Sequence, residues 1–230
     1  MPESGRDKSG FCYNPWDKRC KLLGGSFFIA NPEKDLSKSS ENINSKVKSL
    51  WLWNKKSERE LLEDIYHLLK STSEIVKKAH NGKVSALLCG IGITTSDVPI
   101  LIDLFKRYKI LSNEESFSFQ NEFRLIDLSQ LSIATFNNSN NFLYPKQKSL
   151  LLQKYIPEKK FESGKSVWGM YDEKQYDQIE SRVVDEVVCT HECYIKILAN
   201  VREFKRLEKN HKRQQKLLAK QDEAESLLSK

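Results

Sequence analysis

The sequence predicts an α/β domain with a mixed central sheet flanked by helices and a long C-terminal helical extension. Up to about residue 130, short apolar runs typical of strands alternate with amphipathic patterns of helical period, and this alternation is typical of α/β proteins. From Met170 to the C-terminus the chain contains no Gly and no Pro. Since these two residues are the strongest helix breakers, this final stretch is predicted to be helical.

Four short apolar runs are predicted as the strands of the sheet. Each is rich in β-branched, aromatic or leucine side chains and is bounded by polar or turn-forming residues. The four runs are residues 27–30, 50–53, 84–88 and 124–128. Because helical segments or loops separate them, the sheet is expected to join segments that are distant in the sequence.

A long amphipathic helix is predicted between the second and third strands. Ser57 and Glu60 stand three residues apart, which is the spacing of a capping box at the start of a helix. Apolar residues then recur at helical spacing, namely Leu61, Leu62, Ile65, Leu68, Leu69 and Ile75. The pair Asn81-Gly82 is predicted to end this helix, and a later helix is predicted to begin near Ser96.

The pattern divides the chain into three predicted parts. Residues 1–22 are polar and interrupted by Gly and Pro, so they are predicted to form a flexible N-terminal segment. Residues 23–200 carry the strand and helix patterns and are predicted to form the domain. Residues 201–230 are predicted to form a basic helical tail. Apolar residues up to Leu207 recur often enough to pack on the domain, and beyond Leu207 the charges are expected to face most directions.

Composition favours an intracellular protein that has a core and a charged surface. Hydrophobic residues make up 39% of the chain and charged residues 30%. No apolar run approaches the roughly 20 residues needed to cross a bilayer, and the N-terminus lacks the apolar stretch of a signal peptide. These features predict no membrane association and a cytoplasmic or nuclear location. The net charge of +7 is consistent with a polyanionic partner.

The cysteines leave two interpretations open. Five cysteines are an odd number, which fits reduced thiols better than a disulfide framework. Cys189 and Cys193 share one face of a predicted helix, and a zinc site there would need two further ligands, for which Cys12 and Cys20 are candidates. The alternative, which the pattern favours, is that Cys189 and Cys193 are buried thiols that pack on the sheet.

Two other features of the sequence bear on ligand binding. Trp51, Trp53 and Trp168 are candidates for stacking on nucleic-acid bases, although tryptophans at such positions are more often core or partly buried anchors. Gly90-Ile91-Gly92 is not a dinucleotide-binding fingerprint, because the third glycine is missing and Asp97 follows.

Several short motifs between Gly25 and Leu198 occur in the order found in one family of nucleases. They are Asn31-Pro32-Glu33 after the first strand, Leu50-Trp51-Leu52-Trp53, Glu58-Arg59-Glu60-Leu61-Leu62, Gly90-Ile91-Gly92 followed by Asp97-Val98-Pro99-Ile100-Leu101, Ile126-Asp127-Leu128, and Arg182-Val183-Val184-Asp185-Glu186-Val187 with Tyr194 beyond it. In this order they resemble the predicted 3′-5′ exonucleases related to the proofreading domain of family B DNA polymerases. Those exonucleases belong to the ribonuclease H-like DEDD superfamily.

The resemblance implies a ribonuclease H-like fold over residues 23–200 and a site that binds two divalent cations, Mg²⁺ or Mn²⁺. In such a site, four carboxylates hold the two metals about 3.5–4 Å apart. The corresponding positions here are Asn31, Glu33, Asp97 and Glu186, and Asp185 is adjacent to the last of them.

The chain departs from the family pattern in ways that imply a damaged site. Asn31 stands where the family has its first Asp, and a neutral amide cannot bridge two cations with charge. The last Asp corresponds to Glu186, which is one methylene longer. Arg182 stands where the family has the Tyr that orients the attacking water, and Gly92 replaces the turn Asn. We therefore expect no resident cofactor, and an active site, if retained, would use Glu33, Asp97 and Asp185 or Glu186.

The leading hypothesis is a catalytically inactive nuclease-like domain that acts as an adaptor or interaction module in an assembly that processes RNA or DNA. A protein partner is expected to bind the C-terminal helix or the domain surface. One alternative is an active metal-dependent 3′-5′ exonuclease with a remodelled carboxylate site. Another is a non-catalytic nucleic-acid binder that uses the basic tail, with contacts from Lys205, Arg206, Lys209, Lys212, Arg213 and Lys216.

Overall fold

The computed structural model describes residues 20–31, 43–132, 148–159, 164 and 166–228, with only the backbone described at 148–149 and 221–228. The elements in chain order are β1 Gly24–Phe28, β2 Val47–Trp51, α1 Glu58–Ala79, β3 Ala86–Gly90, α2 Asp97–Arg107, α3 Asn113–Asn121, β4 Phe123–Asp127, α4 Leu128–Leu131, α5 Lys148–Tyr155, α6 Ser166–Asp172 and α7 Tyr176–Leu228. The protein is therefore mixed α/β and has a long C-terminal helix, as predicted.

The four predicted strands are present, but they do not form one central sheet in the described part of the chain. Backbone hydrogen bonds divide them into two pairs, with β1 antiparallel to β2 and β3 parallel to β4. Side-chain packing joins the pairs instead, because Phe27 and Leu50 from the first sheet contact the same apolar cluster as Ala86 and Phe123 from the second. Apolar packing is non-directional, so a shared core does not require a shared hydrogen-bond ladder.

Helix α1 supplies much of this first core, and its start is capped as predicted. The Ser57 hydroxyl accepts a hydrogen bond from the Glu60 amide at 3.2 Å. The Glu60 carboxylate accepts from the Lys56 amide at 3.0 Å, one residue earlier than in a standard capping box. The buried face of α1 carries Leu61, Leu62 and Ile65, three of the apolar residues whose spacing predicted the helix.

The connection from β3 to β4 places both strand ends at one edge. A parallel pair needs a long crossover, and here α2 and α3 form it. Helix α3 was not predicted, although it begins with a complete capping box between Ser112 and Glu115. Gly90 and Asp127 are partners in the last register position of the pair, so the loop after β3 and the start of α4 lie side by side.

A second core forms where the first half of α7 packs on α4 and α5. Cys189, Cys193 and Ile197 of α7 are fully buried together with Leu128 and Leu152. Packing along α7 ends at Val201, because every residue from 202 to 220 is exposed. Phe204 and Leu207, which were expected to pack on the domain, are each 52% exposed. We call residues 176–201 the packed half of α7 and residues 202–220 the exposed half.

The last three residues of the predicted flexible N-terminal segment pack against the domain. Cys20 is buried, and the Leu22 amide donates to the buried Glu58 carboxylate at 2.7 Å. Glu58 also accepts a hydrogen bond from the Tyr108 hydroxyl at 2.7 Å, so it joins this segment, α1 and the end of α2. Among the helices of the described ranges, none is both long and apolar enough to cross a bilayer.

Candidate functional site

The carboxyl ends of β3 and β4 form the region where an α/β protein most often binds a ligand. In this chain, residues 91–96 form the loop that follows β3, and Asp97 begins α2 at the end of that loop. The segment corresponds to the best local match of the nuclease resemblance. The geometry of this loop therefore determines the position of Asp97 in the structure.

A buried carboxylate, Asp127 at the end of β4, organises this loop. It accepts hydrogen bonds from the Gly92 amide at 3.0 Å and from the Thr94 amide and hydroxyl at 3.2 and 2.7 Å. The amide and hydroxyl of Ser129 donate to the same carboxylate at 3.0 and 2.5 Å. Asp127 thus fixes the loop after β3 and also caps α4, across a sequence separation of more than 30 residues.

The protonation state of Asp127 follows from these contacts. Burial is the largest single effect and raises the pKa of this carboxyl group, but the hydrogen bonds from Ser129, Thr94 and Gly92 together outweigh it. The pKa of Asp127 consequently lies below its usual value, and the group is an anion at neutral pH. Because its oxygens are occupied by donors of the protein, Asp127 serves the fold and not a ligand.

The loop turns at Gly92, whose backbone is left-handed with φ of 73°. Glycine is the residue that adopts this conformation most readily, so the turn favours a glycine at this position. The Gly92 carbonyl accepts from the hydroxyls of Thr95 and Ser96 at 3.1 and 2.8 Å. Hydrogen bonds to both the amide and the carbonyl of Gly92 therefore stabilise the turn.

Asp97 lies at the exposed start of α2. Its carboxylate accepts a hydrogen bond from the Ser96 hydroxyl at 3.2 Å. A negative charge at this position is stabilised by the helix macrodipole, so its place at the start of a helix accounts for this carboxylate without a metal.

The other predicted site residues lie on different elements. Asn31 is exposed three residues after the end of β1, and Glu33 lies outside the described residues. Asp185 and Glu186 are neighbours on the packed half of α7. Within the described ranges, no three His, Cys, Asp or Glu side chains are grouped so that they could hold a metal ion. Asp97, Asp185 and Glu186 therefore do not form a three-carboxylate cluster.

The two predicted site carboxylates of α7 are engaged by cations of the chain itself. Lys159 binds Asp185 at 2.5 Å, and the Arg182 guanidinium contacts Glu186 at 3.3 Å. Arg182 also donates to the Ser166 hydroxyl, which anchors its positive charge beside Glu186. Arg182 is thus a fixed cation between Ser166 and Glu186.

The cysteines of α7 form part of the second core. Cys189 and Cys193 are both fully buried, and burial raises the pKa of the Cys193 thiol to about 12 and also raises that of Cys189. Both side chains lie in an apolar cluster with Leu128 and Leu152, which fits the packing interpretation. Cys12, a candidate zinc ligand, lies outside the described residues, and Cys20 is buried.

The tryptophans of β2 and the turn after it stack on the protein itself. Trp53 lies between Trp51 and Tyr176, with ring centroids 4.7 Å apart on each side and the planes nearly parallel. Both faces of Trp53 are therefore occupied, and stacking on a base is excluded there. The third candidate, Trp168, is half-buried on α6.

The predicted nucleic-acid contacts lie on the exposed half of α7, and their arrangement corrects the expectation that charges face most directions. Successive helical residues turn by about 100°, so the positive side chains of this half fall within an arc of about 120°. We call this set the basic stripe, and it consists of Arg202, Lys205, Arg206, Lys209, Lys212, Arg213, Lys216 and Lys220. Phe204, Leu207 and Leu218 lie on the opposite side of the helix.

Comparisons of the chain with protein-family models, with curated proteins and with solved structures find no match in any of the three.

Proposed function

We propose that the chain is a catalytically inactive nuclease-like domain that acts as an adaptor or interaction module in an assembly that processes RNA or DNA. The observation that carries this proposal is the neutral side chain of Asn31 at the first metal-binding position of the resemblance. Two divalent cations held about 3.5–4 Å apart require anionic oxygens around them. An amide does not supply that charge.

The ion pairs on α7 support the same proposal. A metal approaching Glu186 would meet the guanidinium of Arg182, which contacts that carboxylate at 3.3 Å. A metal approaching Asp185 would have to displace Lys159. Arg182 and Lys159 carry the same sign of charge as a metal ion. They thus neutralise the two carboxylates that correspond to the last metal ligand.

A ribonuclease H-like fold belongs to this proposal, and the second sheet supports it. The parallel pair of β3 and β4, the tight turn at Gly92 and the helix that begins at Asp97 follow one another as the resemblance implies. We propose on this basis that the domain keeps the local scaffold of a nuclease site with changed ligands.

The adaptor role is supported by the exposed half of α7. This half adds no buried side chain to the domain, so it contributes surface without contributing to the core. We place the protein partner on the side of α7 that carries Phe204, Leu207 and Leu218, which are all more than half exposed, or on the domain surface.

The proposal is tested by incubating the full chain with end-labelled single-stranded DNA or RNA in the presence of Mg²⁺ or Mn²⁺. We expect no shortening from the 3′ end. The matched control is the Asp97→Ala variant, which alters an exposed side chain and should behave as the native chain does. Metal-dependent degradation that disappears in Asp97→Ala would instead establish an active exonuclease with a remodelled site.

A further inference from the structure

We infer that the basic stripe of α7 binds the phosphodiester backbone of double-stranded nucleic acid without sequence preference. This inference goes beyond the proposed function and does not rest on it, because a chain with nuclease activity could use the same surface. It rests on the arrangement of charge along one exposed segment of helix.

The segregation of charge is the first argument. Eight cations occupy the stripe, while the only anions of the exposed half are Glu203 and Glu208, which lie at the two margins of the arc. They pair with Arg206 and Lys212, at 2.6 Å in each case. Among the described side chains, the other six cations of the stripe have no carboxylate partner.

The cost of this arrangement is the second argument. Cations that stand three or four residues apart repel each other and destabilise a free helix. A helix that only needed solubility would alternate positive and negative residues at this spacing. The exposed half gains no compensation from the core, since all of its residues are exposed. Since the described side chains supply only two carboxylates to this half, we infer that a polyanion compensates the remaining charge.

The length of the stripe is the third argument. From Arg202 to Lys220 an α-helix rises by about 27 Å. One strand of B-form DNA presents about eight phosphates over that length, which matches the number of cations. The exposed half also accounts for six of the chain's seven net positive charges, so the attraction is concentrated on this surface.

The absence of aromatic rings from the stripe selects a duplex over a single strand. Proteins that bind single strands combine positive charge with rings on which bases stack. Besides His211, the exposed half has one aromatic residue, Phe204, and its ring lies away from the stripe. The backbone of a duplex offers phosphates without requiring such stacking.

The experiment measures binding of the full chain to labelled duplex DNA, to duplex RNA and to a single strand of the same mixed sequence, each at several salt concentrations. The stripe variant carries Lys205→Gln, Lys209→Gln, Lys212→Gln and Lys216→Gln. A matched variant of unchanged composition carries Lys209→Gln, Lys216→Gln, Gln214→Lys and Gln215→Lys, which moves two charges off the stripe. Comparing the two duplexes decides whether B-form or A-form backbone is preferred.

Each lost phosphate contact should lower the slope of log affinity against log salt by about one. We therefore expect the slope to fall by about four in the stripe variant and by about two in the composition-matched variant, equally for different duplex sequences. The inference is overturned if the composition-matched variant binds as the native chain does, because net charge alone would then suffice. It is also overturned if the single strand binds more tightly, or if the native chain binds neither duplex and recognises only a protein.

Discussion

The two halves of α7 belong to one continuous helix but have opposite environments. The packed half buries Ile179, Val188, Cys189, Cys193 and Ile197, whereas the exposed half buries none of its side chains. Tertiary packing usually supplies most of the stability of a helix. Beyond Val201 that source is absent, and the helix relies on the high intrinsic propensity of Leu, Lys, Arg and Gln. Continuity of a helix therefore does not mark the extent of a domain, while burial does.

The charges of the two halves differ in the same way. In the packed half, Asp185 and Glu186 bind cations, and the Lys196 ammonium donates to the Tyr155 carbonyl at 2.5 Å. In the exposed half, the ion pairs of the described side chains connect neighbours on the same helix. The packed half uses its charges to hold the domain together, and the exposed half presents them to solvent.

The largest expected effect comes from truncating a buried apolar side chain of the packed half. An exposed apolar side chain of the exposed half serves as the control. Ile197→Ala should lower the free energy of unfolding by about 2–5 kcal/mol, because it leaves a cavity in the second core. The matched change Leu207→Ala removes a side chain that is 52% exposed. It should alter the free energy of unfolding by at most about 0.5 kcal/mol. Chemical denaturation measures both. Equal effects of the two substitutions would show that the halves do not differ in packing.

The next largest effect is expected at Asp127. This residue orients the loop beside α4, and α4 in turn contacts the packed half of α7. Asp127→Ala leaves the amides of Gly92 and Ser129 without their acceptor and should cost about 2–4 kcal/mol. Asp97→Asn, at an exposed carboxylate, serves as the control and should be nearly neutral. If Asp127→Ala unfolds at the same denaturant concentration as Asp97→Asn, the hydrogen-bond network does not support the loop.

The same carboxylate sets a dependence on pH. The pKa of Asp127 is lower in the folded chain than its ordinary value, so its stabilisation is present above the unfolded pKa of about 3.9 and is lost as the pH falls through the folded pKa. The difference in stability between the native chain and Asp127→Asn should therefore be largest near neutral pH and shrink in acid.

The smallest effect is expected from removing the exposed half. A chain that ends after Phe204 retains Val201, the last residue that packs on the second core. Its melting temperature should lie within about 2 °C of that of the full chain, since residues 205–220 are all exposed. Melting at a much lower temperature would assign the tail to the core.

Signals that are local in sequence predicted the elements well. Ser57 caps α1 as its spacing with Glu60 indicates, and the strands lie within a few residues of the apolar runs. Pairing of the strands was not predicted, because it depends on contacts between segments that are far apart. The expected single sheet illustrates this limit, since the period of each strand specifies its faces but not its neighbour.

The candidate site shows the same limit. The sequence places Asp127 in a strand motif, and its role depends on the parallel pairing that brings Gly92 and Thr94 to it. The basic stripe, by contrast, can be predicted from the sequence, because its members recur three or four residues apart from Arg202 to Lys220. Assigning these charges to helix faces would have revealed it.

The projection of α7 also separates the two charged regions of the molecule electrostatically. Lys209 stands eight residues beyond Val201, or about 12 Å along the helix axis, and Lys220 stands farther still. Since mobile ions screen exposed charges over about 8 Å at physiological ionic strength, most of the stripe lies beyond one screening length from the domain. The attraction of the stripe for an anion therefore depends mainly on the stripe's own charges and less on the charges of the domain.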